Sequence, residues 1–211
     1  MASTAKKRRS AFGGFIELVV TVAIAIGLAF LIQAFIVKPY RIPSISMVPT
    51  LRVGQRILVN RLSTHPSIGD VVVFHPPAGA TPANAQVQAI CGNPSAGYGK
   101  SQPCDTPTRG ESSQTFVKRV VGLPGDTLRI VDGHVYRNGK EERGKYIESC
   151  TEGFGQCTFS KTIKVPAGDY YMMGDNRGES DDSRFWGPVP QKWIIGVAFF
   201  TYWPPDRIGT L

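Results

Sequence analysis

Three separated segments contain the residue types that could carry out nucleophilic or acid–base chemistry. In residues 42–51, Ser44 and Ser46 lie between Pro43 and Pro49, which stiffen the chain because their φ angles are fixed. A stiff, exposed loop suits a nucleophile, since less entropy is lost when its hydroxyl is oriented. The competing interpretation is a structural turn whose serines cap backbone groups, and this segment alone favours it.

The second segment contains a lysine that could act as a base. Residues 115–121 are β-branched or apolar enough to predict a strand, in which alternate side chains share a face. Lys118 then lies beside Phe116 and Val120, and such apolar surroundings would lower the pKa of its ammonium group. Only a lysine with a lowered pKa can take a proton from a serine hydroxyl near neutral pH. An ordinary lysine at a strand edge, with its ammonium in water, is the alternative.

The third segment, residues 174–187, is dense in polar groups between apolar flanks. Ser180, Asp182 and Arg184 alternate, so an extended backbone would place them on one face. Asp182 could then pair with Arg184, and Ser180 could hydrogen-bond to a neighbour. A solvated turn is one alternative, and a carboxylate site for a cation is another.

Other catalytic arrangements fit the sequence less well. His65 and His75 adjoin prolines and His134 follows a turn signal, so a Ser-His-Asp triad is not favoured. A Ser-x-x-Lys spacing also occurs from Ser3 to Lys6, but no scaffold surrounds it there. The chain has no Cys/His cluster with the spacing of a zinc site, and we expect no metal or cofactor.

These segments follow a long apolar stretch, residues 15–37, which only Glu17, Thr21 and Gln33 interrupt. A helix of this length spans roughly 34 Å, enough to cross the apolar core of a bilayer. A core helix of the same length would carry a polar stripe. A cleavable secretory signal would be shorter and would end at small residues rather than at a Lys-Pro pair.

The charges around this stretch predict its orientation. Residues 6–9 are all Lys or Arg, so the tail of residues 1–14 should stay in the cytoplasm, with residues 38–211 outside. We therefore expect a single-pass protein of the cytoplasmic membrane with the lipid bilayer as one partner. The rest of the net charge of +8 is scattered, which argues against nucleic acid as a partner.

The four cysteines all fall on the expected outer side, where disulfides persist. Four cysteines allow three pairings. We favour Cys91 with Cys104 and Cys150 with Cys157, because each of these pairs closes a short loop. Four free thiols are the alternative.

Beyond the apolar stretch, short β-branched and aromatic runs bounded by Gly, Pro, Asn or Asp predict a mainly β, antiparallel domain. Besides residues 115–121, the predicted strands are residues 55–60, 70–74, 127–131, 134–137, 170–173 and 194–203. No periodic helix is visible there. Residues 76–114, rich in Pro, Gly, Ala and Ser, look like an irregular insertion. Residues 140–165 look like a small accessory lobe.

Taken together, residues 43–51, 116–126 and 174–184 resemble the signature segments of the type I signal peptidases, also called leader peptidases. Residues 69–74 match the strand between the first two. The resemblance covers roughly residues 36–74 and residue 115 to the C-terminus. It implies a mainly β, antiparallel catalytic domain of signal-peptidase type behind one N-terminal transmembrane helix. The implied activity is a serine endopeptidase that cleaves signal peptides from exported preproteins after small residues, typically in an Ala-x-Ala pattern.

The same resemblance implies a role for individual residues. Ser46 would be the nucleophile and Lys118 the general base, with Ser44 and the amide of Ser46 forming the oxyanion hole. Ser180 would orient Lys118. Asp182 and Arg184 would form a supporting ion pair. Ile42 would line the pocket for small substrate side chains.

Position fits this implied activity, because Ser46 lies nine residues after the apolar stretch and can reach only about 30 Å from it. Three other functions stay open. A soluble, self-cleaving Ser/Lys regulator would not need an anchor. An anchored, non-catalytic β-domain would not react with a serine-directed probe. A nucleic-acid binder would show steeply salt-dependent binding.

Overall fold

The computed structural model describes residues 11–78, 80, 102–106, 110–148, 150 and 157–211. It begins with one long apolar helix, α1 (Ala11–Phe35), whose described side chains are exposed. Within it, residues 13–33 are long and apolar enough to cross a membrane. The helix overlaps the predicted anchor at residues 15–37, but it starts earlier, and Val37 already belongs to a strand.

The rest of the described chain is mainly antiparallel β-structure, as the sequence predicts. The larger sheet has eight strands in the order β1-β2-β11-β3-β4-β9-β10, with β12 paired to β11. Its strands are β1 (Val37–Arg41), β2 (Arg56–Asn60), β3 (Val71–Phe74), β4 (Phe116–Gly122), β9 (Asp169–Met173), β10 (Val189–Pro190), β11 (Ile194–Trp203) and β12 (Gly209–Thr210). Strand β4 lies inside this sheet, between β3 and β9.

A second, smaller sheet includes two short strands from residues 140–165, the segment that the sequence predicts as an accessory lobe. Its order is β7-β6-β5-β8, from β5 (Thr127–Val131), β6 (His134–Arg137), β7 (Lys140–Glu141) and β8 (Ile163–Lys164). Two tight turns shape it, at Asp132-Gly133 and at Asn138-Gly139, and all four turn residues have positive φ. Those are the dipeptides that two-residue hairpin turns favour. The small sheet also includes β5 and β6, which lie before residue 140, and the bounds of the accessory lobe stay a prediction.

Apolar packing fixes the loop that contains the candidate nucleophile. Met47 and Leu51 are buried in one core cluster with Ile57 and Val59 of β2. Burying a side chain of this size contributes about 1.5–3 kcal/mol, so the loop between β1 and β2 is held to the sheet and is not a free tether.

The cysteines and the insertion are only partly described. Cys150 and Cys157 form a disulfide with a Cα–Cα distance of 6.0 Å. Cys104 is also disulfide-bonded, but Cys91 lies outside the described residues, and the pairing of these two stays a prediction. The base of the insertion at residues 76–114 is closed by a β-bridge between Pro77 and Glu111.

Candidate active site

Residues 42–51, which we refer to as the serine loop, open into a cleft of about 440 Å³. Ser46 is buried, with 5% of its surface exposed, and its Oγ lies 3.3 Å from the Oγ of Ser44. Ile42, buried at one end of the loop, lines the same cleft. The two hydroxyls predicted to act together therefore lie side by side.

Lys118 reaches this cleft from strand β4. Its side chain shares the face of Phe116, whose ring centroid lies 5.8 Å from the lysine Nζ, as the predicted alternation requires. Lys118 is only 3% exposed. Burial lowers the pKa of its ammonium group to about 8, although the carboxylates of Asp182 and Asp181 oppose that shift. A lysine with this pKa is partly neutral at physiological pH.

Asp182 and Arg184, two residues of the third segment, form a buried ion pair. Arg184 donates from Nε to Oδ1 of Asp182 at 2.8 Å and from Nη2 to Oδ2 at 3.0 Å, and both side chains are fully buried. Burial alone would raise the pKa of Asp182, but the Arg184 guanidinium outweighs it and holds that pKa below its ordinary value. The carboxylate therefore stays charged beside Lys118.

Asp182 and Arg184 pair as expected, but the backbone between them is not the fully extended one that the sequence predicts. Residues Ser183–Trp186 form a short helix, α2, and the Asp182 side chain caps it by accepting a hydrogen bond from the Arg184 amide. Asp182 itself has the extended backbone typical of an N-cap residue, but the helical turn that follows it includes Arg184. Asp182 also accepts a hydrogen bond from the Gly174 amide at 3.2 Å.

Ser180 lies close to this pair without a hydrogen bond of ordinary geometry in the described part of the chain. Its Oγ is buried, and the hydroxyl contributes to the lowered pKa of Asp182. Gly174 gives it room, since a Cβ there would overlap both the Ser180 hydroxyl and the Ser46 carbonyl oxygen. The orientation of Lys118 by Ser180 stays a prediction.

A second buried ion pair was missed by the sequence analysis. Arg119, on the opposite face of β4, donates from Nε and Nη2 to the two carboxylate oxygens of Asp175, each at 2.7 Å. It also contacts Thr50 in the serine loop, whose hydroxyl donates to Asp175 at 2.5 Å. The sequence of β3 could have indicated this pair. Its four consecutive apolar residues predict a strand buried on both faces, so a charged side chain on an adjacent strand needs a buried partner of opposite charge.

Hydrogen bonds to its backbone carbonyls tie the serine loop to later parts of the chain. The Asn176 amide donates to the Ser46 carbonyl at 3.1 Å. Arg207 donates from Nη2 to the carbonyl oxygens of Pro49 and Thr50 at 3.1 and 3.0 Å. These bonds fix both sides of the loop.

Among the described residues, no group of three or more His, Cys, Asp or Glu side chains could hold a metal ion. The arrangement does offer a hydroxyl and a desolvated amine that open into one cleft. Such a pair suits acyl transfer, in which the amine takes the proton of the attacking hydroxyl.

Comparison with known proteins indicates that this chain is a hydrolase. The family model "Signal peptidase, peptidase S26" matches residues 15–203, and the chain belongs to this family. The probable signal peptidase I-1 of Synechocystis sp. is 38% identical over 191 residues, which cover 89% of this chain and 82% of the relative.

A second relative gives the same family. Signal peptidase I of Leptolyngbya laminosa is 36% identical and aligns over 100% of this chain and 90% of its own length. A solved signal peptidase I from Enterococcus faecalis V583 is 25% identical, covers 63% of this chain and 95% of its own, and gives a TM-score of 0.36. Signal peptidase I function is therefore supported by the family and the relatives, and one N-terminal apolar helix is consistent with membrane anchoring.

Proposed function

We propose that the chain is a Ser/Lys endopeptidase in which Ser46 attacks the scissile carbonyl and Lys118 is the general base. The observation that carries the proposal is that both side chains open into one cleft while burial lowers the lysine pKa to about 8. Neutral Lys118 takes the hydroxyl proton as the Ser46 oxygen bonds to the carbonyl carbon. The lysine then returns that proton to the leaving amine, and water hydrolyses the acyl-enzyme by the same route.

The developing oxyanion would be stabilised by the Ser44 hydroxyl and the Ser46 amide. The distance of 3.3 Å between the Ser44 Oγ and the Ser46 Oγ supports this assignment. Ser180 would orient Lys118, and the pair of Asp182 with Arg184 would support that region without acting chemically.

The substrates would be signal peptides of exported preproteins, cleaved after small residues in an Ala-x-Ala pattern. Ile42, Met47 and Phe116 line the cleft and leave an apolar wall that suits small aliphatic side chains. The helix α1 would span the cytoplasmic membrane with residues 1–14 inside and residues 38–211 outside. Strand β1 follows the helix almost directly, so Ser46 would act near the bilayer surface.

The test is cleavage in detergent of a precursor that carries an Ala-x-Ala signal peptide. Wild type is compared with Ser46→Ala and Lys118→Ala, and with Lys164→Ala as a control for the loss of an exposed lysine. We expect wild type and the control to cut after the last alanine and both dyad variants to be folded but inactive. A Lys118→Ala variant as fast as wild type would rule out the proposed base. Inactivity of every form would favour an anchored binding domain.

A second experiment addresses the membrane topology. Protease is added to the outer side of spheroplasts that contain the full chain, and fragments are detected through tags at each end. Degradation of the C-terminal tag with protection of the N-terminal tag is expected. The reverse pattern would overturn the proposed orientation.

A further inference from the structure

A short segment of the accessory lobe, residues 142–148, packs against the catalytic region. It follows β7 and runs beside the third segment of the site. The Glu148 amide donates to the Asp175 carbonyl at 2.9 Å, and the Arg177 amide donates to the Glu148 carbonyl at 3.3 Å. We refer to residues 142–148 as the brace segment.

The brace segment places an aromatic ring on the buried Arg119 guanidinium. The centroid of the Tyr146 ring lies 3.9 Å from the guanidinium carbon of Arg119, within the range of a cation–π contact. Gly144 permits this position, because a methyl group there would overlap the ring. The ring therefore covers the Arg119–Asp175 pair on the lobe side.

The same tyrosine is linked to a second buried arginine. Its hydroxyl donates to Oε1 of Glu142 at 3.1 Å, and Glu142 pairs with Arg177 at 2.9 Å. Burial, together with the charge of Glu142, raises the pKa of Tyr146 to about 12, so this hydroxyl keeps its proton. Arg177 is fully buried and donates from Nε to the Gly174 carbonyl at 2.9 Å.

These contacts reach each member of the proposed dyad through one neighbouring residue. Arg119 is the neighbour of Lys118 in β4, and it holds Asp175 with two hydrogen bonds. Asn176, the residue after Asp175, donates its amide to the Ser46 carbonyl. Motion of the Arg119–Asp175 pair would therefore displace both the nucleophile and the base.

Tyr146 does not supply a hydrogen bond that Arg119 would otherwise lack. Arg119 already donates to Asp175, to Thr50 and to the Gly69 carbonyl at 2.6 Å. The ring adds a flat, low-dielectric cover that strengthens the ion pair and restrains the guanidinium plane. Small displacements of this kind are expensive in catalysis, since an error of about 1 Å can cost a hundredfold in rate.

We infer that Tyr146 and Glu142 are positioning residues for peptide-bond hydrolysis, acting from the accessory lobe through Arg119 and Arg177 on Ser46 and Lys118. The inference rests on the proposed Ser/Lys chemistry. It gives the lobe a part in catalysis, in addition to its part in the fold.

The experiment compares Tyr146→Leu with Tyr146→Phe and with a matched control, Tyr136→Leu. Tyr136 belongs to strand β6 of the small sheet, and its ring centroid lies 5.8 Å from the guanidinium carbon of a different arginine, Arg129. For each variant, kcat and KM are measured on a signal-peptide substrate from pH 6 to 9.5, together with the thermal unfolding midpoint. Active-site titration with an acylating probe corrects every rate for the folded fraction.

We expect Tyr146→Leu to lower kcat at least tenfold at every pH, with KM within about twofold of wild type. The loss should persist at high pH, because more neutral Lys118 does not correct its position. Tyr146→Phe keeps the ring over Arg119 and should recover kcat to within about threefold. Tyr136→Leu should leave kcat and KM unchanged.

Several results would overturn the inference. A lower unfolding midpoint with unchanged kcat per titrated site would show that Tyr146 is merely structural. A change in KM alone would mean that the brace segment contacts substrate instead. If Tyr146→Leu does not fold, Glu142→Gln replaces it. That variant removes the charge that pairs with Arg177 and should lower kcat about threefold, and an unchanged kcat refutes the inference. An active Lys118→Ala enzyme, by contrast, would refute the proposed dyad itself.

Discussion

The pH dependence of hydrolysis is the most direct test of the proposal that the buried Lys118 acts as the base. The Lys118 pKa lies at about 8 because burial destabilises its ammonium form. The neutral fraction is then about 1% at pH 6, about 10% at pH 7 and about 90% at pH 9. If only neutral lysine accepts the Ser46 proton, kcat/KM rises about 90-fold between pH 6 and pH 9, with a midpoint near the lysine pKa.

The assay is initial-rate cleavage of a peptide substrate that has no ionisable side chain, in a non-ionic detergent at constant ionic strength. The quantity plotted is kcat/KM, since it reports groups in the free enzyme. Circular dichroism at each pH shows whether the fold persists. A profile that is flat from pH 6 to pH 9, or one that falls as pH rises, would refute the reasoning.

Three other perturbations test the same region. Lys118→Met should raise the free energy of unfolding at pH 7 by about 3 kcal/mol, because it removes a buried ammonium group whose pKa is lowered from 10.5 to about 8. The gain should shrink as pH rises from 8 to 10.5, since the lysine is then neutral in the folded protein. Chemical denaturation measures it. Gly174→Ala should reduce kcat about a hundredfold, since its methyl group overlaps the Ser46 carbonyl oxygen, whereas Gly209→Ala meets no atom and should behave as wild type. Asp182→Asn should lower the free energy of unfolding by about 3–5 kcal/mol in the same denaturation assay, because it leaves a buried guanidinium without its charged partner; a change below 1 kcal/mol would contradict this explanation.

Local patterns predicted the parts of the fold that depend on neighbouring residues. The strands at residues 127–131, 134–137 and 194–203 have the predicted bounds, because alternating apolar residues and turn signals are properties of short stretches. Strand β1 was not predicted, since Pro39 interrupts its pattern. It is an edge strand, where a proline removes no hydrogen bond that the sheet needs.

Long-range pairing set the limit of prediction in the candidate site. The apolar neighbours of Lys118 could be inferred from strand alternation, and Phe116 does share its face. The pairing of Arg119 with Asp175 joins residues 56 positions apart, and no local period encodes it. The brace segment was expected only as part of a small lobe, because its contacts depend on how the two sheets pack.

The hydrogen bonds from Asn176 and Arg207 to the serine loop also determine when, during synthesis of the chain, the site can form. A ribosome makes the loop early and its supports much later. A nascent chain whose apolar helix has already been inserted would thus hold Ser46 in an unfinished setting until the distant segments follow. Interrupted translation would leave inert fragments rather than stray proteases, so the order of synthesis itself would protect neighbouring proteins.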